Sequence, residues 1–464
     1  MTSVYSSLFL TDGLQPQQAI DRYKKRRHLF LKELDSLTVI WGVLDGPNRQ
    51  SSWAHLGAYV FQEPLFLFLT GINQPRCALI LDPDHEPHEI LLVEEKNPKQ
   101  EFWDGVRFGY GTPDSAKQIC VQTGFTSLAK IDSLEDILDT KLSLSRPHAT
   151  VATFWNESPS GVLKQDDNAC QKLYFENWIA TKQYPYQVVN CASQAFSCRF
   201  PLDEVDLNNA KQACDRTTKA FLNTLPRIPH FLSETELAGF LTGQLMMQSS
   251  FGCSFPSIVA SGANAMTLHY TKNDDALQSG EMVLLDFGLR WQGMHADVSR
   301  TVPVSGRFNP LQSLLYAIVL DAQLAVQSWV KPGVSLEDIN ERCWSFIRTR
   351  LQTDIRDRGG FMQLPYHDSP HNVSHLIGLQ VHDGDAFRQY KSLPIQPGWL
   401  LSNEPGLYGD FKLMIDGVLY QEAVGIRLED NLWVTQTGCV NLVSCPKSIV
   451  DIEACMAGEN GIGQ

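Results

Sequence analysis

The chain has 464 residues, of which 43% are hydrophobic and 19% charged, and its formal net charge is −14. This composition is typical of a globular protein with a large core, and it excludes a disordered or collagen-like chain. An acidic chain without a basic run or a long apolar segment is a poor candidate for nucleic acid or membrane binding. We therefore expect neither kind of partner.

Eleven cysteines are scattered along the chain without a Cys-x-x-Cys pair. An odd number at irregular spacing is typical of reduced thiols and disfavours a disulfide framework or a structural zinc site. The first residues show no basic segment ahead of an apolar stretch, so no secretory signal is evident. These features predict a cytoplasmic protein.

The first part of the chain alternates predicted helices and strands, as in an α/β domain. An amphipathic helix is predicted over 16–35. The strand-like runs that follow are separated by turn signals such as Asp45-Gly46-Pro47, and they are Leu37–Leu44, Leu65–Leu69, Cys77–Leu81 and Glu89–Val93. A second set of strands and helices is predicted over 105–180.

A charged helix around Leu207–Leu225 opens a new unit. We place the boundary near residue 190, which predicts an N-terminal domain over 1–190 and a C-terminal domain over 191–464. In the second domain, helices are predicted over about 203–225, 233–249, 309–330 and 335–352. Nearly all candidate ligands lie in the β-rich segments between them.

Two apolar runs flank Trp291-Gln292-Gly293, a pattern that predicts a β-hairpin. Asp286 and Asp297 are equidistant from this centre, so in an unbulged hairpin they would face each other ~5 Å apart. Two buried carboxylates so placed repel each other unless a divalent cation lies between them. A bulge at Gly293 would instead send one aspartate to solvent, and the hairpin alone leaves both possibilities open.

Three histidines, His371, His375 and His382, fall within twelve residues. A zinc-binding helix of the zincin type needs glutamate where this chain has Asn372, and Gly378 also argues against a helix. His375 and His382 differ by an odd number, so a straight strand would place them on opposite faces. A kink at Gly378 is needed if both serve one site.

Two glutamates lie among apolar residues further along the chain. Glu404 precedes Pro405, which forces an extended backbone before a turn. Arg427 and Glu429 share one face of a predicted strand. A glutamate in such surroundings is costly unless it binds a metal or, as the simpler alternative, pairs with Arg427.

Together these segments supply four carboxylates and one imidazole, from Asp286, Asp297, His375, Glu404 and Glu429. An oxygen-rich ligand set favours Mn²⁺, with Co²⁺ or Zn²⁺ as possible substitutes. Five such ligands suit two divalent ions ~3.5–4 Å apart, whose charges balance those of the carboxylates.

The order of these residues resembles the Xaa-Pro aminopeptidase (aminopeptidase P) and prolidase family of pita-bread-fold metallopeptidases. The resemblance spans roughly 195–455, and its motifs are Ser257–Tyr270, the Asp286/Asp297 hairpin, His375–His382, Glu404–Tyr408 and Gly425–Asp430. The segment Phe68-Leu-Thr-Gly-Ile-Asn-Gln-Pro75 is similar to the N-terminal domain of the same enzymes, which methionine aminopeptidases lack. The resemblance implies an α+β protein, with a C-terminal pita-bread (creatinase/aminopeptidase) fold preceded by an α/β N-terminal aminopeptidase P-type domain.

The same resemblance implies a role for each matching ligand. Asp286 would bind one ion, His375 and Glu404 would bind the other, and Asp297 and Glu429 would bridge the two. A shared hydroxide would attack the carbonyl before proline. Glu404 would also carry the proton from the nucleophile to the leaving nitrogen.

Further residues are implied to act without binding metal. His269 and His382 would donate hydrogen bonds to the tetrahedral intermediate and the substrate, and Arg427 would orient the bridging carboxylates. The residues expected to support the ligands or the substrate are Arg427, His371, Tyr408 and His295.

Two functions within the family remain open at this point. An Xaa-Pro aminopeptidase removes the residue before a penultimate proline, whereas a prolidase cleaves only Xaa-Pro dipeptides. Thr70–Pro75 and the spacing of 25 residues between Glu404 and Glu429 favour the aminopeptidase, and Cys445–Gly458 is somewhat closer to prolidase. We predict the aminopeptidase, a homo-oligomer (dimer or tetramer) acting on proline-containing peptides. The complete ligand set argues against a non-enzymatic or metal-independent relative of this fold.

Overall fold

The computed structural model describes residues 8–43, 62–144, 150–155 and 167–458. The chain divides into two compact units, Met1–Phe200 with Gly384–Arg388, and Pro201–Asp383 with Gln389–Gln464. None of the described helices is long and apolar enough to cross a membrane. The ten cysteines with described side chains are free thiols.

The first unit is built on a six-stranded mixed sheet. Its strands are β1 (Leu37–Trp41), β2 (Ala78–Leu81), β3 (Glu89–Val93), β4 (Leu128–Lys130), β5 (Thr150–Thr153) and β6 (Gln187–Asn190). Its helices are α1 (Pro16–Glu33), α2 (Pro64–Thr70), α3 (Pro98–Asp104), α4 (Pro113–Thr123), α5 (Leu134–Leu144), α6 (Asp167–Lys182) and α7 (Ala192–Arg199). The strand order is β4-β3-β2-β1-β5-β6, and β2 alone runs antiparallel to its neighbours in this sheet. Apolar side chains of the sheet, α5 and α6 form one buried core.

Most predictions for this unit are confirmed. The helix predicted over 16–35 is α1, three of the predicted strands are β1, β2 and β3, and 105–180 contains further helices and strands. The predicted end of the first strand at Leu44 and the turn signal Asp45-Gly46-Pro47 lie outside the described residues.

The predicted strand Leu65–Leu69 is wrong, because this run forms helix α2. Pro64 occupies the first helical turn, and the Glu63 carboxylate caps the helix by accepting the Phe66 N–H at 2.6 Å. Nearly every residue of α2 is buried. A short run that is apolar on all sides has no periodicity with which to distinguish a helix from a strand.

The second unit carries the catalytic candidates on small antiparallel sheets. Its strands are β7 (Ile258–Ser261), β8 (Met282–Phe287), β9 (Arg290–Trp291), β10 (Met294–His295), β11 (Val298–Pro303), β12 (Phe361–Gln363), β13 (Leu400–Asn403), β14 (Gly406–Ile415), β15 (Val418–Arg427), β16 (Asp430–Val434) and β17 (Cys439–Asn441). Its helices are α8 (Glu204–Thr224), α9 (Glu234–Gln248), α10 (Pro310–Trp329), α11 (Leu336–Leu351) and α12 (Ile449–Met456). The four predicted helices are confirmed as α8 to α11.

The sheets of this unit meet at the candidate residues. They have the orders β11-β8-β7, β12-β14-β15 and β13-β16-β17, with β9 and β10 as a separate ribbon. Backbone hydrogen bonds hold the ligand-bearing segments against their strands, because Glu429 N–H donates to Ser299 O of β11 at 3.0 Å and Ser402 N–H of β13 donates to His375 O at 2.9 Å. Side chains from four strands or strand ends are thereby directed into one region.

Candidate metal centre and active site

The hairpin that carries Asp286 and Asp297 has a different register from the predicted one. Gln292 and Gly293 have φ of 49° and 86° and form a two-residue turn, so Asp286 lies opposite Ser299. The prediction that Asp286 pairs directly with Asp297 is therefore wrong, because its partner lies two residues further along the second strand. They remain diagonal neighbours on the same face, since an even shift preserves the side of the strand. Both are buried, so neither has been sent to solvent.

The chain reverses direction between His375 and His382, as the predicted kink at Gly378 requires. Leu376 and Asp383 form an antiparallel bridge, and the two histidine rings stack with centroids 4.0 Å apart. A Cβ atom at position 378 would lie 2.3 Å from Asp383 Oδ2. Glycine is needed here because the turn is closed by this close approach.

The structure brings all five predicted ligands together. In each of two overlapping groups the ligand atoms lie within 4.8 Å of one another, and the groups are Asp286, Asp297 and Glu429, and His375, Glu404 and Glu429. A third such group contains Asp297, His375 and His382, so a histidine expected not to bind metal also offers a nitrogen there. Metal binding by these side chains stays a prediction.

The donor set of this cluster fits divalent cations. Asp297 and Glu429 are 4% and 2% exposed, and burial together with the neighbouring carboxylates raises the pKa of each well above its usual range. Glu429 Oε1 is buried and accepts no hydrogen bond from the described residues. A buried carboxylate oxygen without a hydrogen-bond donor, among other carboxylates, is costly, and a cation bound beside it would lower that cost.

His375 is oriented towards the carboxylates by its backbone. Its Nδ1 lies 3.1 Å from Leu376 O, while its Nε2 lies 3.3 Å from Glu404 Oε1 and 3.7 Å from Asp297 Oδ2. An Nδ1–H that donates to the carbonyl leaves Nε2 as the metal-binding atom.

The charge state of the metal-free pair follows from the same contact. Burial opposes charging of His375, but its hydrogen bond and attraction to Glu404 raise the pKa of the imidazole to about 9. Burial likewise opposes ionisation of Glu404, yet the hydrogen bond to His375 lowers the pKa of this carboxyl to about 2. The imidazolium is thus one source of positive charge in the metal-free cluster.

Arg427 supplies a second positive charge, and its contact differs from the predicted one. Its Nη2 donates to Asp286 Oδ2 at 2.6 Å and its Nε donates to Ser299 Oγ at 2.8 Å. It therefore holds Asp286 directly and reaches Glu429 through Ser299, and it does not pair with Glu429 as the simpler alternative required. Arg427 makes these contacts because the hairpin register pairs Asp286 with Ser299 across the strands. One guanidinium can therefore donate to both side chains.

Two residues with supporting roles were missed. Ser299 Oγ lies 3.0 Å from both Asp286 Oδ1 and Glu429 Oε2. Asn431 holds the backbone of Asp297 by accepting its N–H at 3.1 Å and donating to its carbonyl at 2.7 Å. A lone serine or asparagine in a strand gives no sequence signal of such a contact.

The ligands line a cavity of about 280 Å³. The other side chains around this cavity include His269, His371, His382, Leu268 and Lys391. His269 and His382 were expected to contact the substrate and His371 to support the ligands or the substrate, whereas no motif indicated Lys391.

His371 and Tyr408 form a hydrogen-bonded pair beside the ligands. His371 Nε2 lies 3.0 Å from Tyr408 Oη, and its Nδ1 lies 3.8 Å from Glu404 Oε2. Burial lowers the pKa of His371 and raises the pKa of Tyr408 to about 12. Both groups therefore stay neutral near pH 7, and His371 lies in irregular backbone, which agrees with the argument against a helix.

His295 lies close to the turn at Gly378. Its backbone N–H donates to Gly378 O at 3.0 Å. Burial, followed by the charge of Arg290, lowers the pKa of His295 to about 3, so its ring is neutral. This position suits support of the turn.

Two protein-family profiles match the sequence of this chain. The profile of Metallopeptidase family M24 matches residues 208–436, and that of Aminopeptidase P, N-terminal domain matches residues 23–151. The chain belongs to the aminopeptidase P family of metallopeptidases. The predicted family is thereby confirmed, and the protein is a metallo-aminopeptidase.

Two curated relatives and one solved structure illustrate the similarity. Xaa-Pro aminopeptidase 3 of Homo sapiens is 29% identical over 417 residues, which cover 85% of this chain and 76% of that protein. Intermediate cleaving peptidase 55, mitochondrial, of Arabidopsis thaliana is 25% identical over 452 residues, which cover 96% of this chain and 84% of that protein. A structure of aminopeptidase P from Escherichia coli with the inhibitor Pro-Leu has a TM-score of 0.75 at 22% identity, covering 95% of this chain and 98% of that chain. The predicted fold class is confirmed.

Proposed function

We propose that this metallo-aminopeptidase is an Xaa-Pro aminopeptidase, which hydrolyses the bond between an N-terminal residue and a penultimate proline. The observation that carries the proposal is the single cavity lined by the carboxylate cluster and by His269, His371 and His382. The human relative, named Xaa-Pro aminopeptidase 3, supports the same substrate class.

The proposed ligands come from the three groups already described, in which Glu429 joins Asp286 to His375 and Glu404, and Asp297 lies with Asp286 in one group and with His375 in another. Asp286 would hold one ion, His375 and Glu404 would hold the other, and Asp297 and Glu429 would touch both. The oxygen-rich donor set favours Mn²⁺, with Co²⁺ and Zn²⁺ as alternatives. When bound, two such ions lower the pKa of water and polarise a carbonyl group.

Glu404 is the proposed proton carrier. It borders the cavity beside His375 and His371, so its carboxylate lies where the reacting groups of a bound peptide would meet it. A proline nitrogen carries no hydrogen in the peptide bond, so the departing imino group must receive one. A positioned carboxylate that first accepts a proton from the nucleophile and then donates it meets that need.

The cavity histidines are proposed to bind the reacting groups. His269 and His382 can present N–H donors to the oxygen that becomes negatively charged during attack, and such donors stabilise the transition state. His371, held neutral by burial and hydrogen-bonded with Tyr408, would position the substrate beside Glu404.

The assay that tests the proposal compares three peptides with protein that has been stripped of metal and reloaded with Mn²⁺. We expect an Xaa-Pro-Yaa tripeptide to be cleaved after its first residue, as followed by mass spectrometry. Cleavage of the Xaa-Pro dipeptide alone would assign a prolidase. Equal cleavage of a matched Xaa-Ala-Yaa tripeptide would contradict proline specificity, and this control is included because the Arabidopsis relative's name does not mention proline.

Three further sequence predictions stand as proposals beside this one. They are a domain boundary near residue 190, a cytoplasmic location, and a homo-oligomer that is a dimer or a tetramer. Light scattering of the purified protein tests the last, and a monomer would contradict it.

A further inference from the structure

A buried glutamate outside the metal cluster holds the segment that carries His269. Glu234 is the first residue of α9 and its side chain is 0% exposed. No motif indicated this residue. Among the described residues, its carboxylate is stabilised by hydrogen bonds alone.

Five donors converge on this carboxylate. Oε1 accepts the Ser261 N–H at 2.7 Å, the Ser261 hydroxyl at 2.9 Å and Asn264 Nδ2 at 3.1 Å. Oε2 accepts the Tyr270 hydroxyl and the Asp275 N–H, both at 3.0 Å. The backbone N–H of Glu234 also donates to Asp275 O at 2.9 Å. Both oxygens of this carboxylate are therefore engaged, Oε1 by three donors and Oε2 by two.

These contacts fasten both ends of one segment, since Ser261 precedes it and Asp275 follows it. Within the segment, Leu268 and His269 line the active-site cavity. Tyr270, the residue after His269, packs in a buried cluster that also contains Tyr408. Burial and the hydrogen bond to Glu234 raise the pKa of Tyr270, so its hydroxyl remains a donor.

We propose that Glu234 is a positioning residue for His269. By fixing the two ends of the segment and the hydroxyl of Tyr270, it restricts the backbone from which the His269 imidazole enters the cavity. Glu234 would touch neither the substrate nor the metal. The inference rests on the proposed role of His269 in the Xaa-Pro aminopeptidase reaction.

A glutamine cannot replace this carboxylate. Whichever way the amide is oriented, its NH₂ group faces either the Ser261 N–H or the Asp275 N–H, and two donors then meet. The matched control is Glu236→Gln. This substitution also replaces a carboxylate by an amide in α9, but at an exposed position where the side chain accepts the Leu232 N–H.

The first measurement is independent of activity. Hydrogen exchange of the full-length protein, read by mass spectrometry, should become faster over 262–274 in Glu234→Gln and stay unchanged in Glu236→Gln. Loss of the two end contacts opens this segment without unfolding the sheets. Unchanged exchange in a folded Glu234→Gln protein would overturn the proposal.

The second measurement is a double-mutant cycle with His269→Ala, using protein loaded with Mn²⁺. We expect Glu234→Gln to lower kcat by about 10–100-fold, with little change in KM, because displacement of a transition-state donor costs rate. In the His269→Ala background the same change should cost less than about twofold. An equal loss in both backgrounds would assign Glu234 a merely structural role and overturn the proposal.

Two further outcomes keep the test decisive. If Glu234→Gln does not fold, Tyr270→Phe removes one donor while retaining the ring, and its loss of kcat should likewise vanish in the His269→Ala background. Full activity of His269→Ala would overturn the positioning role but leave the enzyme assignment intact. That assignment depends on cleavage of the tripeptide by the unaltered protein.

Discussion

Arg427 Nη2 and Asp286 Oδ2 lie 2.6 Å apart in the interior of the second unit. The same guanidinium donates to Ser299 Oγ, so one cation orients a proposed ligand and the hydroxyl between two ligands. Planar guanidinium geometry suits this double contact, whereas an ammonium group offers a single point of charge. Such a pair contributes more to the orientation of the carboxylate than to net stability.

Arg427→Lys should therefore weaken the site while retaining its charge. We expect metal affinity or activity to fall by about 10–100-fold, as for the loss of other groups that orient metal ligands. Titration calorimetry with Mn²⁺ and the tripeptide assay measure the two quantities. Arg307→Lys is the control, because Arg307 pairs with Glu453 at the surface. Normal metal affinity and activity in Arg427→Lys would contradict the orienting role.

Glu429→Gln tests the bridging ligand. The substitution preserves shape but removes one negative charge and one metal-binding oxygen, so we expect fewer bound ions and a loss of activity of about 10²-fold or more. Elemental analysis of the purified variant and the tripeptide assay provide the readouts. Glu337→Gln, at an exposed position on α11, should behave as the unaltered protein. Near-normal turnover of Glu429→Gln would refute the two-metal assignment.

The metal-free protein should lose stability as pH rises. The raised pKa values of Asp297 and Glu429 mean that the folded form binds more protons than the unfolded chain above the ordinary carboxyl pKa of ~4. The raised pKa of His375, about 9, acts in the same direction, since its contribution is complete below ~6.5 and disappears as pH rises through 9. The lowered pKa of Glu404 acts oppositely, but only below ~4.5.

Thermal denaturation with EDTA and with Mn²⁺ measures this effect. We expect the increase in Tm on adding Mn²⁺ to be larger at about pH 8.5 than at about pH 5.5, because binding must displace protons from the cluster. A Tm increase that does not depend on pH would show that these carboxyls do not take up protons in the metal-free fold.

Gly378→Ala tests the turn that brings the two histidines together. The new Cβ would lie 2.3 Å from Asp383 Oδ2, so the turn must shift and carry the stacked rings with it. We expect activity to fall by about 10-fold or more, since small displacements of catalytic groups are costly. Gly243→Ala, in α9 with nothing within 4 Å of the added atom, should raise stability by up to about 1 kcal/mol. If Gly378→Ala kept the activity of the unaltered protein, the proposed need for glycine in this turn would be contradicted.

Arg300→Met tests the ion network beneath the cluster. Arg300 is 0% exposed and its Nη2 donates to Asp430 Oδ1 at 2.6 Å, while its Nη1 donates to Glu429 O at 2.8 Å. Removing one member of a buried pair should lower the free energy of unfolding by about 3–5 kcal/mol. Arg307→Met, at the surface, should lower it by less than about 1 kcal/mol. Denaturant unfolding measures both, and similar values would contradict the burial argument.

Periodicity was sufficient for the long elements. Helices α8, α10 and α11 were predicted because apolar residues recur at helical spacing over many turns, and such spacing depends on the local chain alone. It was insufficient for Leu65–Leu69, a run that is apolar on all sides and forms α2, in which nearly every residue is buried. The hairpin at Gln292-Gly293 was predicted, but its register was wrong by two residues because the turn conformation sets the pairing.

The sequence by itself determined the residue types of the candidate site and the family motifs that contain them. A carboxylate in an apolar strand is already costly at the level of sequence, and that cost indicated a metal before any distance was known. Only the tertiary structure decided which carboxylate Arg427 holds, that Ser299 lies between two ligands, and that Glu234 fastens the His269 segment. These contacts join residues far apart in the chain, and their partners depend on strand register and sheet packing, which local sequence does not specify.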